Sequence, residues 1–422
     1  MADVDLSLSL ILPCHGGVPD TTACLAALAE QRGAPPFEVV LVDDGSPAAA
    51  AEELDRAARR SALPVQVVRR PERGGFAAAV NDGCARARGT HVVVLNNDTL
   101  PAPRLLAELL AAFQECGARV AAPVSNHVKG RARLAVGGTT RERGARLRLE
   151  AHVATCPPAE DVETASGLCL LMRRDDLAAL GGFDTRFGSG NWEDDDLCLR
   201  VRREGGRIVI ARRAFVHHEG HRTFQALGLD PEQAIRTRFA TFAAKWSRCP
   251  VGRAYLAILR GDLAAAAAAA HEARASWPLW PDAAWILARE AFARGAFDTA
   301  RSELLRFLGD CPLHGEARLL LARGALVTGM HGDARRALAF AAHHCWLDAA
   351  QIATLERLAA AVERSSAGRG RHASESTHDV LDDPVEIERR PEARGGGQAV
   401  EARQAPSCIG SARGTPRRVD DP

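Results

Sequence analysis

The stretch Asn191-Trp192-Glu193-Asp194-Asp195-Asp196-Leu197-Cys198-Leu199-Arg200 sets four consecutive acids ahead of an amphipathic pattern. Neighbouring carboxylates repel unless something offsets their charge, and a helix N-terminus does so with its partial positive charge and free N–H groups. One reading is an acidic first turn without chemistry. The other is a general base, a carboxylate placed to take a proton from a hydroxyl nucleophile, with crowding to raise at least one pKa. Two more acidic groups end β-rich runs. Asp43-Asp44-Gly45-Ser46 either closes a turn and caps a helix or presents a carboxylate to a nucleotide base or ribose. In Asn96-Asn97-Asp98-Thr99, Asp98 is either a turn residue or a hard oxygen donor suited to Mg²⁺ or Mn²⁺. A second ligand downstream would separate the two, and His218 is the candidate; of His217, His218 and His221, at least two are read as surface or structural. Gly74 and Gly75 precede a helical stretch, where backbone can approach an anionic ligand closely, and Arg73 adds charge there.

These residues need elements to hold them. Leu6–Leu12, Phe37–Val42, Val65–Val68 and His91–Leu95 read as strands, separated by helical patterns at Thr21–Gln31, Ala48–Ser61 and Phe76–Arg88 and followed by another at Ala102–Cys116. That alternation predicts an α/β fold with a mostly parallel sheet sandwiched by helices, whose ligands bind beyond the carboxyl ends of the strands. If the strands ending at 42 and 95 are neighbours, Asp43, Asp44 and Asp98 share one edge. From about 250 to 363 the chain is rich in alanine and leucine and carries a 34-residue period: Gly261, Gly295 and Gly329; Ala266, Ala300 and Ala334; Pro278 and Pro312. With Leu287, Ala288, Phe297 and Leu304 in the middle copy, this resembles tetratricopeptide repeats, although the usual aromatic positions mostly lack Trp or Tyr. The expected division is 1–248 α/β, 249–363 all-α helical repeats, and 364–422 a disordered tail too poor in apolar residues to offset its ordering entropy.

Composition narrows the function classes. With 54 basic against 53 acidic side chains in 422 residues, the net charge of +1 excludes a globally basic nucleic-acid binder. Only Lys129 and Lys245 are lysines, a bias assigned to genome composition. The 11 cysteines form no CxxC pair and read as small hydrophobes in a reducing compartment. The first residues lack a basic n-region, and no charge-free apolar run approaches the roughly 18 residues of a membrane span; Ala264–Ala270 is too short. A cytoplasmic protein is expected, with a peripheral place at the inner membrane left open. Neither GxGxxG after the first strand nor GxxxxGK[ST] occurs, which disfavours a dinucleotide-binding dehydrogenase and a P-loop nucleotidase.

Eight segments in order resemble the large inverting glycosyltransferase family 2 of the GT-A fold, including its rhamnosyltransferase-like branch, over about Leu6 to Trp246. They begin at Leu10-Ile11-Leu12-Pro13-Cys14-His15, Val39 to Ser46, Gly74 to Gly83 and Val94 to Thr99. They continue through Ala165 to Arg174, Gly181 to Phe187, Trp192 to Arg203 and Phe215 to Gly220. The resemblance implies that Asp43 and Asp44 bind the nucleotide, that Pro13 and His15 line the base pocket, and that Arg73, Gly75, Asn97 and Asp98 contact the nucleotide sugar. It implies a divalent cation, Mn²⁺ or Mg²⁺, held by Asp98 with help from His218, since Asn96 replaces the first acid of the usual Asp-x-Asp. Asp194 maps to the catalytic base, with Trp192 and Glu193 facing the acceptor. The implied reaction is direct displacement, with the cation and the glycine turn stabilising the departing nucleoside diphosphate.

The expected partners are therefore a nucleoside-diphosphate-sugar donor, a glycan, protein or lipid-linked saccharide acceptor, and a protein partner through the repeats. Residues 218–246 read as a cover over the site or a plain linker. The QxxRW pattern of processive synthases is absent, which favours single or few additions. The competing readings are an inactive scaffold whose repeats carry the function, and a nucleotidyltransferase, which lacks its glycine-rich loop with Lys after the first strand.

Overall fold

The computed structural model describes residues 7–134, 140–188, 190–220, 231–345 and 347–367. His221 and residues 368–422, most of the expected tail, lie outside them. The first half alternates as its apolar runs require: β1 (Leu8–Cys14), α1 (Val18–Ala29), β2 (Phe37–Asp43), α2 (Ala48–Arg60), β3 (Val65–Arg69), α3 (Phe76–Cys84) and β4 (His91–Leu95). Then follow β5 (Thr99–Pro101), α4 (Leu105–Glu115), β6 (Val120–Ser125), α5 (Arg143–Val153), β7 (Ala159–Asp161), β8 (Cys169–Arg173), α6 (Arg174–Ala179), α7 (Glu193–Arg203) and β9 (Ile208–His218).

The sheet runs β3-β2-β1-β4-β8-β6-β9-β5, with β7 paired to β9. The first four strands are parallel, and β8 enters antiparallel between β4 and β6. One expectation is corrected here: β2 and β4 are not neighbours, because β1 pairs with both and lies between them. Since all three are parallel, the residues following β2 and β4 still emerge at one edge. Strand periodicity sorts the side chains onto two cores. Leu8, Leu10 and Leu12 pack with Leu28, Leu105 and Leu109 on one face, while Ile11 joins Val80, Phe183 and Leu197 on the other.

Beyond β9 the chain is helical. α8 (Pro231–Lys245) leads into α9 (Pro250–Leu259) and α10 (Leu263–Ser276), α11 (Pro281–Ala293) and α12 (Phe297–Asp310), α13 (Gly315–Val327) and α14 (His331–His344), then α15 (Ala349–Ala367). The first residues of α10, α12 and α14 are spaced by the period of the sequence. At the turns joining each hairpin, Gly261, Gly295 and Gly329 have φ of 73°, 76° and 73°, a left-handed conformation that favours glycine. α15 continues to Ala367, past the expected end of the repeats at 363. The texture change at 248 falls between α8 and α9, yet the apolar core crosses it: Phe187 and Leu199 pack with Phe242, Trp246, Tyr255 and Leu287. Arg131 also pairs with Asp310, tying the sheet layer to α12. Among the described residues, no helix is long and apolar enough to cross a membrane.

Candidate active site

Beyond the carboxyl ends of the strands lies a cavity of about 790 Å³. The turn after β2 builds one end of it. Asp43 is fully buried, accepts from the Ser46 N–H at 2.9 Å and pairs with Arg69 at 3.1 Å. It is not among the cavity-lining residues, so the two acids divide their work: Asp43 holds the turn and Asp44 reaches the cavity. The Asp44 carboxylate accepts from the Gly74 and Gly75 N–H groups, both at 2.8 Å, and lies 2.9 Å from the Arg70 guanidinium. These are the glycine N–H groups that the sequence offered to a departing diphosphate; here they are donated to Asp44. Gly45 is required beside them, because its φ is 68° and a Cβ there would fall 2.6 Å from the Arg73 nitrogen. Pro13, His15, Arg73, Gly75 and Asn97 also line this end. His15 Nδ1 donates to the Asp44 carbonyl at 2.9 Å, and Asn97 donates to Thr21 at 3.0 Å.

Asp98 and His218, far apart in sequence, are brought together by the antiparallel pairing of β5 with β9, in which Thr99 sits opposite His218. His218 Nε2 lies 3.3 Å from Asp98 Oδ1. Asn126, at the end of β6, grips the His218 backbone from both sides, donating to its carbonyl at 3.0 Å and accepting from its N–H at 2.8 Å. His218 Nδ1 lies 2.9 Å from the His127 carbonyl, which can only accept, so Nδ1 carries a hydrogen and Nε2 faces Asp98. Burial opposes charge on this imidazole, but the Asp98 carboxylate outweighs it and its pKa is raised. His217 turns elsewhere, between Thr140 and Glu219, and is structural.

α7 closes the middle of the cavity. Asp194 accepts from the Gly167 N–H at 2.8 Å through one oxygen and from the Asp195 N–H at 3.0 Å through the other. The crowding expected from sequence acts on its neighbours. Burial, reinforced by the Asp194 charge, pushes the Glu193 carboxyl well above its ordinary range. Burial and the same charge push Asp195 up to about 7, against the opposing pull of Lys129. Trp192 packs 5.0 Å from Phe239 and 5.1 Å from Phe242, with the Lys129 ammonium 5.3 Å from its ring centre. Over its described part, the segment read as a cover or linker packs Phe239 and Phe242 against Trp192 at the start of α7, and Phe242 itself lines the cavity. Lys245 lies 2.6 Å from both Asp184 and Asp196, and the Trp246 indole donates to Asp196 at 3.0 Å.

Asp44, Asp98, His218, Asp194, Trp192 and Glu193 therefore line one cavity. Sequence reasoning missed three contributors. Asn126 carries no motif and acts through backbone contacts. Lys129 had a signal in its rarity. The outer wall comes from the second helical hairpin, including Asp282, Trp285 and His314, which strand-end logic does not reach.

Residues 9–181 match the family described as Glycosyl transferase family 2. The "Pre-mycofactocin glycosyltransferase" of Mycobacterium tuberculosis is 32% identical over 188 residues, 44% of this chain and 38% of that protein. The "Uncharacterized protein y4gI" of Sinorhizobium fredii is 26% identical over 219 residues, 50% of this chain and 24% of that protein. The match thus spans well under half the length of these curated relatives. Among solved structures, mannosyltransferase PcManGT from Pyrobaculum calidifontis in complex with GDP-Man and Mn²⁺ aligns at 22% identity, over 72% of this chain and 88% of that one, with a TM-score of 0.43. TarS 1–349 of S. aureus in complex with UDP aligns at 17% identity, over 88% and 94%, with a TM-score of 0.43. Over residues 9–181, within its α/β part, this chain is therefore similar to glycosyl transferase family 2.

Proposed function

We propose that the chain is an inverting glycosyltransferase that moves a hexosyl or deoxyhexosyl group from a nucleoside-diphosphate-sugar donor to an acceptor hydroxyl, one or a few additions at a time. The observation that carries this reading is the convergence of Asp44, Asp98, His218 and Asp194 on one cavity, supported by the match of residues 9–181 to the glycosyl transferase family 2 model. Asp44, His15 and Arg73 mark the nucleotide end. Asp194 keeps lone pairs beyond the two backbone N–H groups it accepts. It removes the acceptor proton as that oxygen attacks the anomeric carbon and the bond to the diphosphate breaks on the opposite side. Arg73 supplies positive charge at the diphosphate end.

The donor set fits a divalent cation. The Nε2 lone pair of neutral His218 and an Asp98 oxygen face each other, an arrangement that needs a proton or a cation between them. Among the described residues, no three His, Cys, Asp or Glu side chains form a cage. A site with two protein ligands suits an ion whose remaining positions are filled by diphosphate oxygens and water. Held by Asp98 and His218, Mn²⁺ or Mg²⁺ would neutralise charge developing on the leaving diphosphate. In this reading the 34-residue hairpins are tetratricopeptide-like.

The test is a thermal-shift and calorimetry panel of nucleoside diphosphates and their sugars, with and without Mn²⁺. At least one nucleotide should raise the melting temperature in a metal-dependent way, and Asp98→Ala and His218→Ala should each remove the metal dependence. A panel in which no nucleotide binds would sink the transferase reading.

A further inference from the structure

The cavity does not end at the strand edge. Its outer wall is the second helical hairpin: Leu279 to Asp282 lead into α11, Trp285 lies on it, Phe307 and Asp310 on α12, and His314 just after. Trp285 stacks on Phe307 with ring centres 5.4 Å apart and planes 26° apart, and lies 5.2 Å from His314. Burial lowers the His314 pKa, so the imidazole is neutral and extends the aromatic surface.

The inner wall is the entry to α7. Asn191 and Trp192 have φ of 77° and 73°, the only non-glycine residues with positive φ among those described. Strain of this kind persists where surrounding structure enforces it and clusters at functional sites. Three polar atoms in this segment are buried without a hydrogen-bond partner: Asn191 Nδ2, Trp192 Nε1 and Glu193 Oε2. Glu193 is only 5% exposed, and all three residues line the cavity. Unpaired buried polar atoms are costly, so a ligand that pairs with them gains by doing so.

We propose that the second helical hairpin is the outer half of a saccharide acceptor site, whose inner half is Asn191-Trp192-Glu193. Two unpaired donors and one unpaired carboxyl oxygen match the mixed donors and acceptors of sugar hydroxyls, while the apolar face of a second sugar ring fits the Trp285 surface. The inference rests on the transferase reading, since it takes Asp194 as the base beside which the receiving sugar sits. It assigns the repeats to substrate recognition within the same cavity, in place of recruitment of a separate protein.

The test uses the full-length chain, labelled and saturated with whichever nucleotide binds, on a glycan array and on a peptide array. Nucleotide affinity is measured separately by calorimetry. Oligosaccharides of two or more sugars should be retained, with binding weakened about tenfold in Trp285→Ala and largely restored in Trp285→Phe. Nucleotide affinity should be unchanged in both variants, which shows that they fold. Glycan binding equal in Trp285→Ala and the parent chain overturns the proposal, as does retention on peptides alone or on no glycan at all. In those cases intact nucleotide binding leaves the transferase reading standing; loss of nucleotide binding by the parent chain removes both.

Discussion

The sharpest test of the chemistry is Asp194→Asn, because the structure separates its two effects. In the parent chain each carboxylate oxygen accepts one backbone N–H, from Gly167 at 2.8 Å and from Asp195 at 3.0 Å. Asparagine has one oxygen, so its amide must face one of those N–H groups donor to donor, and leaving that group unpaired costs about 1–3 kcal/mol of stability. Loss of the general base is a separate term, typically about 10²–10⁴ in rate. At about 1.4 kcal/mol per factor of ten, that is roughly 3–5 kcal/mol of transition-state stabilisation. The two should appear in different measurements. The melting temperature should fall modestly, kcat for transfer should fall by two to four orders of magnitude, and nucleotide affinity by calorimetry should hold, because the proposed function puts Asp194 at the acceptor end. A variant whose melting temperature drops while kcat stays within a factor of a few would show that Asp194 only ties α7 to the Gly167 turn, and the base would have to be sought elsewhere.

Two further outcomes follow from the same geometry. Asp195 is raised to about 7, so its folded-state pKa exceeds its unfolded one; the associated stability is complete below the ordinary carboxylate range and is lost as pH rises through about 7. At about 1.4 kcal/mol per factor of ten in proton affinity, this amounts to a few kcal/mol. The melting temperature of Asp195→Asn should accordingly fall less than the parent's between pH 5 and 8, and parallel curves would argue against the shift. Gly45→Ala places a Cβ 2.6 Å from the Arg73 nitrogen and 2.7 Å from the Glu72 carbonyl carbon, in a backbone conformation of φ 68° that alanine resists. Displacing that segment should destabilise the fold by about 1–2 kcal/mol and weaken nucleotide binding, measured by melting and calorimetry. Unchanged affinity would mean that the Arg73 turn does not shape the nucleotide end.

What the sequence revealed, it revealed through local physics. Apolar runs buried on both faces made β1, β2 and β4 readable, the valines of the edge strand β3 marked it despite its exposure, and the three glycines of the helical turns announced their own period. Strand order was not local. Nothing in β1 says that it separates β2 from β4, and the insertion of β8 antiparallel between β4 and β6 depends on pairing chosen across the whole sheet. The site shows the same division. Asp44, Asp98, Asp194 and His218 announce themselves by type and position, whereas Asn126 acts through the backbone of a residue 92 positions away. The different tasks of Asp43 and Asp44 were also hidden, since adjacent carboxylates are chemically identical until a turn aims one inward to Arg69 and the other towards the glycines.

Lysine usage shows how composition can point to a site once geometry is known. All but two of the 54 basic side chains are arginine, so the background preference of this chain is strongly against lysine. Both exceptions sit against α7. Lys245 places one ammonium 2.6 Å from two carboxylates, Asp184 and Asp196, and Asp196 is fully buried. A compact point charge with three rotatable donors can serve both, whereas the planar fork of a guanidinium is shaped for one carboxylate at a time. Lys129 lies over the Trp192 ring, and its positive charge is felt by Asp194, Asp195, Asp282 and Glu193. There it offsets the repulsion within the acidic turn and faces Asp282 of the helical hairpin as well. The small ammonium at these two places follows from how closely the acids of α7 are packed.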